Sequence, residues 1–150
     1  MKRVVVLDSG PLSFITGTQA STRNTDCTRW LRTLLAQGNK VVIPEIADYE
    51  VRRGYLRVPL LDGIANLNAL KTVIDYIPLN TDVMLKAAEF WAQARRLGRN
   101  TGPEAALDGD VILAAQTALL TDLGDTIVIA TTNVKHLEWF VDAQLWHEIT

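Results

Sequence analysis

The chain has 150 residues, of which 48% are hydrophobic, so it can form one domain with a core of its own. Its formal net charge is -2, which does not favour a generic nucleic-acid binder, because such proteins usually carry a basic excess. One cysteine, Cys27, excludes an intramolecular disulfide and fits a reducing compartment, where we expect it to be a small apolar core residue.

No apolar run is long enough for a secretory signal or a membrane span. The basic start, Met1-Lys2-Arg3, is followed by a short apolar run, residues 4–7, before Asp8 interrupts it. We therefore expect a soluble, cytoplasmic protein without membrane contact, and a single domain over residues 1–150.

Strands and helices alternate along the chain. Residues 4–7 form an apolar, β-branched run typical of a buried parallel strand, and Asp8-Ser9-Gly10-Pro11 has the composition of a turn. The remaining elements, in order, are helix 25–37, strand 40–43, helices 44–54 and 60–70, strand 73–77, helix 81–97, loop 99–106, helix 108–120, strand 126–130 and a short strand 146–149.

This alternation predicts an α/β sandwich with a mostly parallel sheet. In such sheets ligands bind beyond the carboxyl ends of the strands. The positions that matter are therefore Asp8, the segment after Ile43, and residues 131–133.

Two acidic side chains in the first third of the chain are candidates. Asp8 directly follows a buried strand and faces the expected cleft, although it could equally cap the next segment. Glu50 shares a helix face with Ile46 and Gly54, and an inward glutamate is unusual unless it is paired or binds a metal. Glu45, at the start of that helix, complements the helix dipole, and Asp48 is expected to be solvated.

The most apolar helix opens with Asp108-Gly109-Asp110. Asp108 is placed to be its N-cap and Asp110 to lie in the first turn near the cleft, so we expect one structural and one functional acid. Asn133, after the fourth strand, could orient a metal-bound water or cap a short helix that starts near Val134.

Carboxylates that converge from separate elements repel one another unless a cation lies between them. An all-oxygen ligand set selects hard cations, here Mg²⁺ or Mn²⁺. His136 and His147 lack the spacing of a zinc site, and Ser9 has no evident histidine base. The chain has no Walker-type phosphate loop and no G-x-S-x-G motif.

Together these segments resemble the PIN-domain family, in particular the VapC-type toxin ribonucleases of toxin–antitoxin pairs. The resemblance covers nearly the whole chain. It rests on Val5-Val6-Leu7-Asp8-Ser9-Gly10-Pro11-Leu12, on Ile43-Pro44-Glu45-Ile46 leading to Glu50 and Gly54, on the helix from Asp110 to Gln116, and on Ile129-Ala130-Thr131-Thr132-Asn133.

The resemblance implies a PIN-like three-layer α/β/α sandwich, often dimeric, that cleaves single-stranded RNA with metal-activated water. It assigns the metal to Asp8, Glu50 and Asp110, with Asn133 as the fourth polar position and Ser9 in support. Departures from the family pattern are Gly10, where Asn is common, and His136, where many members have an acid. Asp108 could supply that missing carboxylate.

Other interpretations of the sequence differ in class. A phosphatase of the aspartyl-phosphate kind is disfavoured, because it would have a second Asp at position 10, where this chain has Gly10. A receiver domain is also disfavoured, because it would have an acidic pair near the first strand and a Lys after a late strand. An interaction module that kept the fold without the chemistry is the non-enzymatic alternative.

If the chain is a toxin, a cognate antitoxin should cover the cleft. Arginines expected to be exposed could bind RNA or antitoxin, or be ordinary solvated charges: Arg52, Arg53, Arg57, Arg95, Arg96 and Arg99.

Overall fold

The computed structural model describes residues 3–99, 104–120 and 126–150, without the side chains of residues 104–106. Within these residues the strands are β1 (Arg3–Leu7), β2 (Lys40–Pro44), β3 (Asp75–Ile77), β4 (Thr126–Thr131) and β5 (Ala143–Leu145). The helices are α1 (Ser9–Thr16), α2 (Thr22–Ala36), α3 (Glu45–Arg57), α4 (Leu61–Leu70), α5 (Thr81–Arg96) and α6 (Glu104–Ala118), with 3₁₀ turns at Leu137–Trp139 and Trp146–Glu148.

The described strands form one parallel sheet in the order β3-β2-β1-β4-β5. Val5 of β1 lies opposite Val41 of β2 and Val128 of β4. The chain runs outward from β1 through β2 and β3, and then begins the other half of the sheet at β4. The order therefore switches between β1 and β4, which is where parallel sheets open a crevice for ligands.

Strand β1 is buried on both faces. Val5 and Leu7 pack into a cluster with Leu34, whereas Val4 and Val6 pack on the opposite side with Leu113. Burial on both sides explains why the strand is apolar at consecutive positions. The layers are helix, sheet and helix, which confirms the expected α/β/α sandwich.

Two predictions at the carboxyl edge were wrong. The segment 8–11, predicted to be a turn, begins α1, because Asp8 is its N-cap and Pro11 lies in its first turn, where proline is tolerated. Helix α6 begins at Glu104 rather than at residue 108, so the predicted loop is wrong for residues 104–106. Its residues 100–103 lie outside the described part of the chain.

Other differences are shifts of boundaries. Helix α2 begins earlier than predicted, at Thr22, with the Ser21 hydroxyl as its cap, and β3 is shorter. Residues 146–149 were predicted to be a strand; the final strand is instead β5, and a 3₁₀ turn follows it. Across the described ranges, no helix is both long enough and apolar enough to cross a bilayer.

Candidate metal-binding site

Asp8 lies at the switch point of the sheet, directly after β1. Its Oδ1 accepts a hydrogen bond from the backbone N–H of Ser9 at 2.7 Å, and its Oδ2 accepts one from the Thr131 hydroxyl at 2.7 Å. Burial raises the pKa of Asp8, and the hydrogen bonds from Thr131 and Ser9 offset part of that rise. Asp8 is therefore both the cap of α1 and a carboxylate with a fixed orientation.

Glu50 reaches the same region from α3, with 26% of its side chain exposed. Burial and the charge of Asp8 raise its pKa to about 7; Arg53 opposes the shift and Asp110 adds to it. A Cβ on Gly109 would lie 3.1 Å from Oε2 of Glu50. The glycine between the two α6 aspartates therefore lets the Glu50 carboxylate approach the α6 backbone closely.

Asp110 comes from α6, where it lies in the second turn rather than in the predicted first turn. Its Oδ2 is 3.1 Å from Nδ1 of His136. Burial raises the pKa of Asp110, the hydrogen bond from His136 lowers it, and the charge of Asp8 raises it again. The Asp110 carboxylate is thus oriented by a ring from the segment after β4.

Asp8, Glu50 and Asp110 come from three different parts of the fold. The charge of Asp8 raises the pKa of the other two carboxyls, and the charge of Asp110 also raises that of Glu50. This concentration of negative charge on oxygen donors fits a hard divalent cation such as Mg²⁺ or Mn²⁺. Within the described residues, no three Asp, Glu, His or Cys side chains already stand in the geometry of a metal site. A cation here would therefore draw the carboxylates together or bind some of them through water.

The other predicted site residues, Ser9, Asn133 and Asp108, lie in three different surroundings. Ser9 lines a cleft beside Glu50. The amide oxygen of Asn133 accepts a hydrogen bond from the Lys135 backbone N–H, so the exposed Asn133 closes a turn. Asp108 lies on another face of α6, in a groove with Trp91 of α5, and is not brought to the carboxylates. Its predicted role as N-cap was wrong, because α6 begins before it.

Sequence reasoning missed two contacts. It did not assign Thr131 a role, although β1 and β4 are neighbours and Leu7 pairs with Ala130, so that Asp8 and Thr131 follow side by side. It treated His136 as a departure from the family pattern and did not predict its hydrogen bond to Asp110. The strand order would have revealed the first contact; no local signal reveals the second.

The chain is similar in fold to chains of three solved structures. VapBC2 from Rickettsia felis, bound to a DNA fragment from its promoter, has a TM-score of 0.70 and 14% identity, over 95% of this chain and 98% of that chain. VapBC-1 from nontypeable Haemophilus influenzae has a TM-score of 0.69 and 16% identity, and FitAcB from Neisseria gonorrhoeae has a TM-score of 0.67 and 18% identity. Both matches cover 97% of this chain and 99% of the other chain.

These similarities confirm the PIN-like fold expected from the sequence. No protein-family model matches the chain, and no curated protein matches its sequence. At such low identities the structural likeness establishes the fold alone.

Proposed function

We propose that this protein is a Mg²⁺- or Mn²⁺-dependent endoribonuclease that cleaves single-stranded RNA, and that it is the toxin of a toxin–antitoxin pair. One observation supports the proposal most: at the switch point of a parallel sheet, Asp8 lies near enough to Glu50 and Asp110 for its charge to raise the pKa of both carboxyls. Carboxyls with pKa values shifted by burial and by a neighbouring charge are concentrated at functional sites.

The residues of the site have separable tasks. Asp8 and Asp110 bind the cation, and each carboxylate is oriented by a partner, Thr131 and His136 respectively. Glu50 completes the oxygen set from α3. When bound, a divalent cation would supply Lewis-acid stabilisation of the charge that develops on a phosphodiester. Ser9 and Asn133 support the arrangement, and Asp108 is left out of it.

A partner is part of the proposal. The similar structures are described as VapBC2, VapBC-1 and FitAcB, so we propose that this chain binds a cognate antitoxin. From the family resemblance of its sequence we also propose that it forms a homodimer. Co-purification with the product of a neighbouring reading frame, and loss of RNA cleavage in that complex, test the first claim. Light scattering of the isolated chain tests the second.

The activity is tested with purified protein and single-stranded RNA. The wild-type chain should cleave RNA with Mg²⁺ or Mn²⁺ and not with EDTA, and Asp110→Asn should lose cleavage while keeping its circular dichroism. Asp26→Asn, an exposed acid on α2, is the matched control and should cleave like the wild type. Full activity in Asp110→Asn contradicts the assignment.

A catalytically inert interaction module is the other outcome. A cation that binds only the native state raises the melting temperature. Mn²⁺ should therefore raise that of the wild type and not that of Asp110→Asn. An unchanged melting temperature at saturating Mn²⁺ favours the inert module.

A further inference from the structure

A cleft of about 410 Å³ lies next to the carboxylates, between α1 and α3. Ser9 and Ser13 line it from α1, and Glu50, Arg53 and Gly54 line it from α3. Its volume falls in the range of about 300–1,000 Å³ typical of small-ligand pockets. Because Glu50 belongs to both features, a chain lying in the cleft would run directly into the acidic site.

Gly54 has no packing reason to be a glycine. It lies inside α3, one turn after Glu50, and a Cβ built on it meets no atom within 4 Å. By contrast, a Cβ would lie 2.6 Å from the Thr132 side chain at Gly10 and 3.0 Å from that of Tyr55 at Gly63. A glycine inside a helix is destabilising relative to alanine. The glycine at position 54 therefore lowers the stability of α3, and its effect on the surroundings is to leave the space in the cleft open.

Arg53 stands at the same cleft, with 60% of its side chain exposed. Its Nη2 lies 3.9 Å from Oε2 of Glu50, which is too long for a hydrogen bond, and its guanidinium lies 5.0 Å from the ring centre of Tyr49. The neighbouring Arg52 differs, because it donates two hydrogen bonds to the buried Asp48. The guanidinium of Arg53 is therefore placed to receive a phosphate.

We propose that this cleft binds the nucleotide next to the scissile phosphate, with its backbone phosphate on Arg53 and its ribose over Gly54. This inference rests on the proposed ribonuclease function and assigns its substrate path. The lining suits RNA in particular: Ser13 donates its hydroxyl hydrogen to the Gly10 carbonyl at 2.6 Å, so its lone pairs can accept from a ribose 2′-hydroxyl.

The test measures RNA binding apart from cleavage. All variants carry Asp8→Asn, which keeps a helix cap and leaves the RNA intact. The probe is a fluorescent, mixed-sequence single-stranded RNA with Mg²⁺, followed by anisotropy. Gly54→Leu should weaken RNA binding about tenfold, because the leucine side chain fills the cleft. Arg53→Ala should weaken RNA binding by a similar factor, because a phosphate contact is lost. Arg53→Lys should recover part of that loss.

Arg57→Ala is the matched control, since Arg57 is exposed on the same helix and does not line the cleft. It should bind within about twofold of the parent. The melting temperatures of Gly54→Ala and Gly54→Leu should equal or exceed that of the parent, because both residues favour helix over glycine. Weaker RNA binding in a more stable protein cannot be explained by misfolding.

Two results would overturn the inference. The first is parent-like RNA binding by Gly54→Leu, which is expected if the cleft binds a protein segment instead. The second is an equal loss of RNA affinity in Arg53→Ala and Arg57→Ala. The proposed function fails on a separate measurement. If the chain with Asp8 intact cleaves no RNA with Mg²⁺ or Mn²⁺, the ribonuclease assignment is contradicted, whereas the binding data still report on the cleft.

Discussion

Nδ1 of His136 lies 3.1 Å from Oδ2 of Asp110, although 26 residues separate them in the chain. An ionised carboxylate only accepts hydrogen bonds, so Nδ1 carries the hydrogen whenever Asp110 is charged. His136 also packs against Trp139, with ring centres 5.1 Å apart, which limits how the imidazole can turn. The segment after β4 therefore orients an acid on α6.

Replacing His136 should weaken metal binding without removing a proposed ligand. His136→Ala takes away the hydrogen bond that lowers the pKa of Asp110, so more of this carboxyl is protonated as the pH falls. We expect about tenfold weaker Mn²⁺ binding, with a loss that grows as the pH is lowered, measured by calorimetry. His136→Asn keeps a donor at the same position and should restore most of the affinity. A pH-independent loss contradicts this role.

The capping role of Asp8 and its proposed metal-binding role can be separated by two substitutions. Asp8→Asn keeps a side chain that caps α1 and removes the charge, so stability should change little. Asp8→Ala also removes the cap and should cost about 1 kcal/mol in urea unfolding. Both should lower RNA cleavage by about a hundredfold or more, because metal stabilisation is worth several kcal/mol. Equal stability of the two variants would contradict the capping role.

Glu50 should make the metal-free protein less stable as the pH rises. Its pKa rises on folding from 4.5 to about 7, so the folded chain holds this proton more tightly than the unfolded chain. The resulting stabilisation is complete below pH 4.5 and is lost as the pH passes about 7.

In EDTA, wild type should therefore lose roughly 2–3 kcal/mol more unfolding free energy between about pH 5 and 8 than Glu50→Gln does. Urea unfolding at the two pH values measures the difference. Added Mn²⁺ should reduce it, since a cation stabilises the ionised carboxyl. Parallel pH profiles of the two proteins in EDTA would show that Glu50 does not titrate in this range.

Arg52 and Arg53 should differ in their effect on stability although they are adjacent. Asp48 is 5% exposed, so its expected solvation was wrong. Burial alone would raise the pKa of Asp48, but hydrogen bonds and charge from Arg52, with the charge of Lys71, hold it below its ordinary value.

Arg52→Met leaves the buried carboxylate with one cation and should cost about 2–4 kcal/mol in unfolding free energy at neutral pH. Arg53→Met removes only a loose, exposed ion pair and should cost less than about 1 kcal/mol. Urea unfolding of both variants provides the comparison. Similar losses for the two arginines would indicate that the Asp48 contacts contribute little.

The local sequence was enough to predict most of the helices and strands and to select Asp8 and Asp110 as candidate site residues. The apolar run before Asp8 predicts a strand buried on both faces, since only such a strand is apolar at consecutive positions. Asp8 then follows at the carboxyl edge by position alone. The sequence did not decide whether Asp8 caps α1 or contributes to the site; the structure shows that it caps α1, and its metal-binding role stays a prediction.

Tertiary structure decided which polar groups meet. Strand order brings Thr131 to Asp8, and helix phase turns Asp110 toward His136 while Asp108 faces α5. The same packing buries Asp48 beside Arg52 and leaves Arg53 at the cleft. The contacts of Thr131 with Asp8 and of His136 with Asp110 join residues far apart in the chain, and no local pattern of hydrophobicity or charge contains them. The sequence therefore supplied the acids, and only the fold decided which of them lie close together.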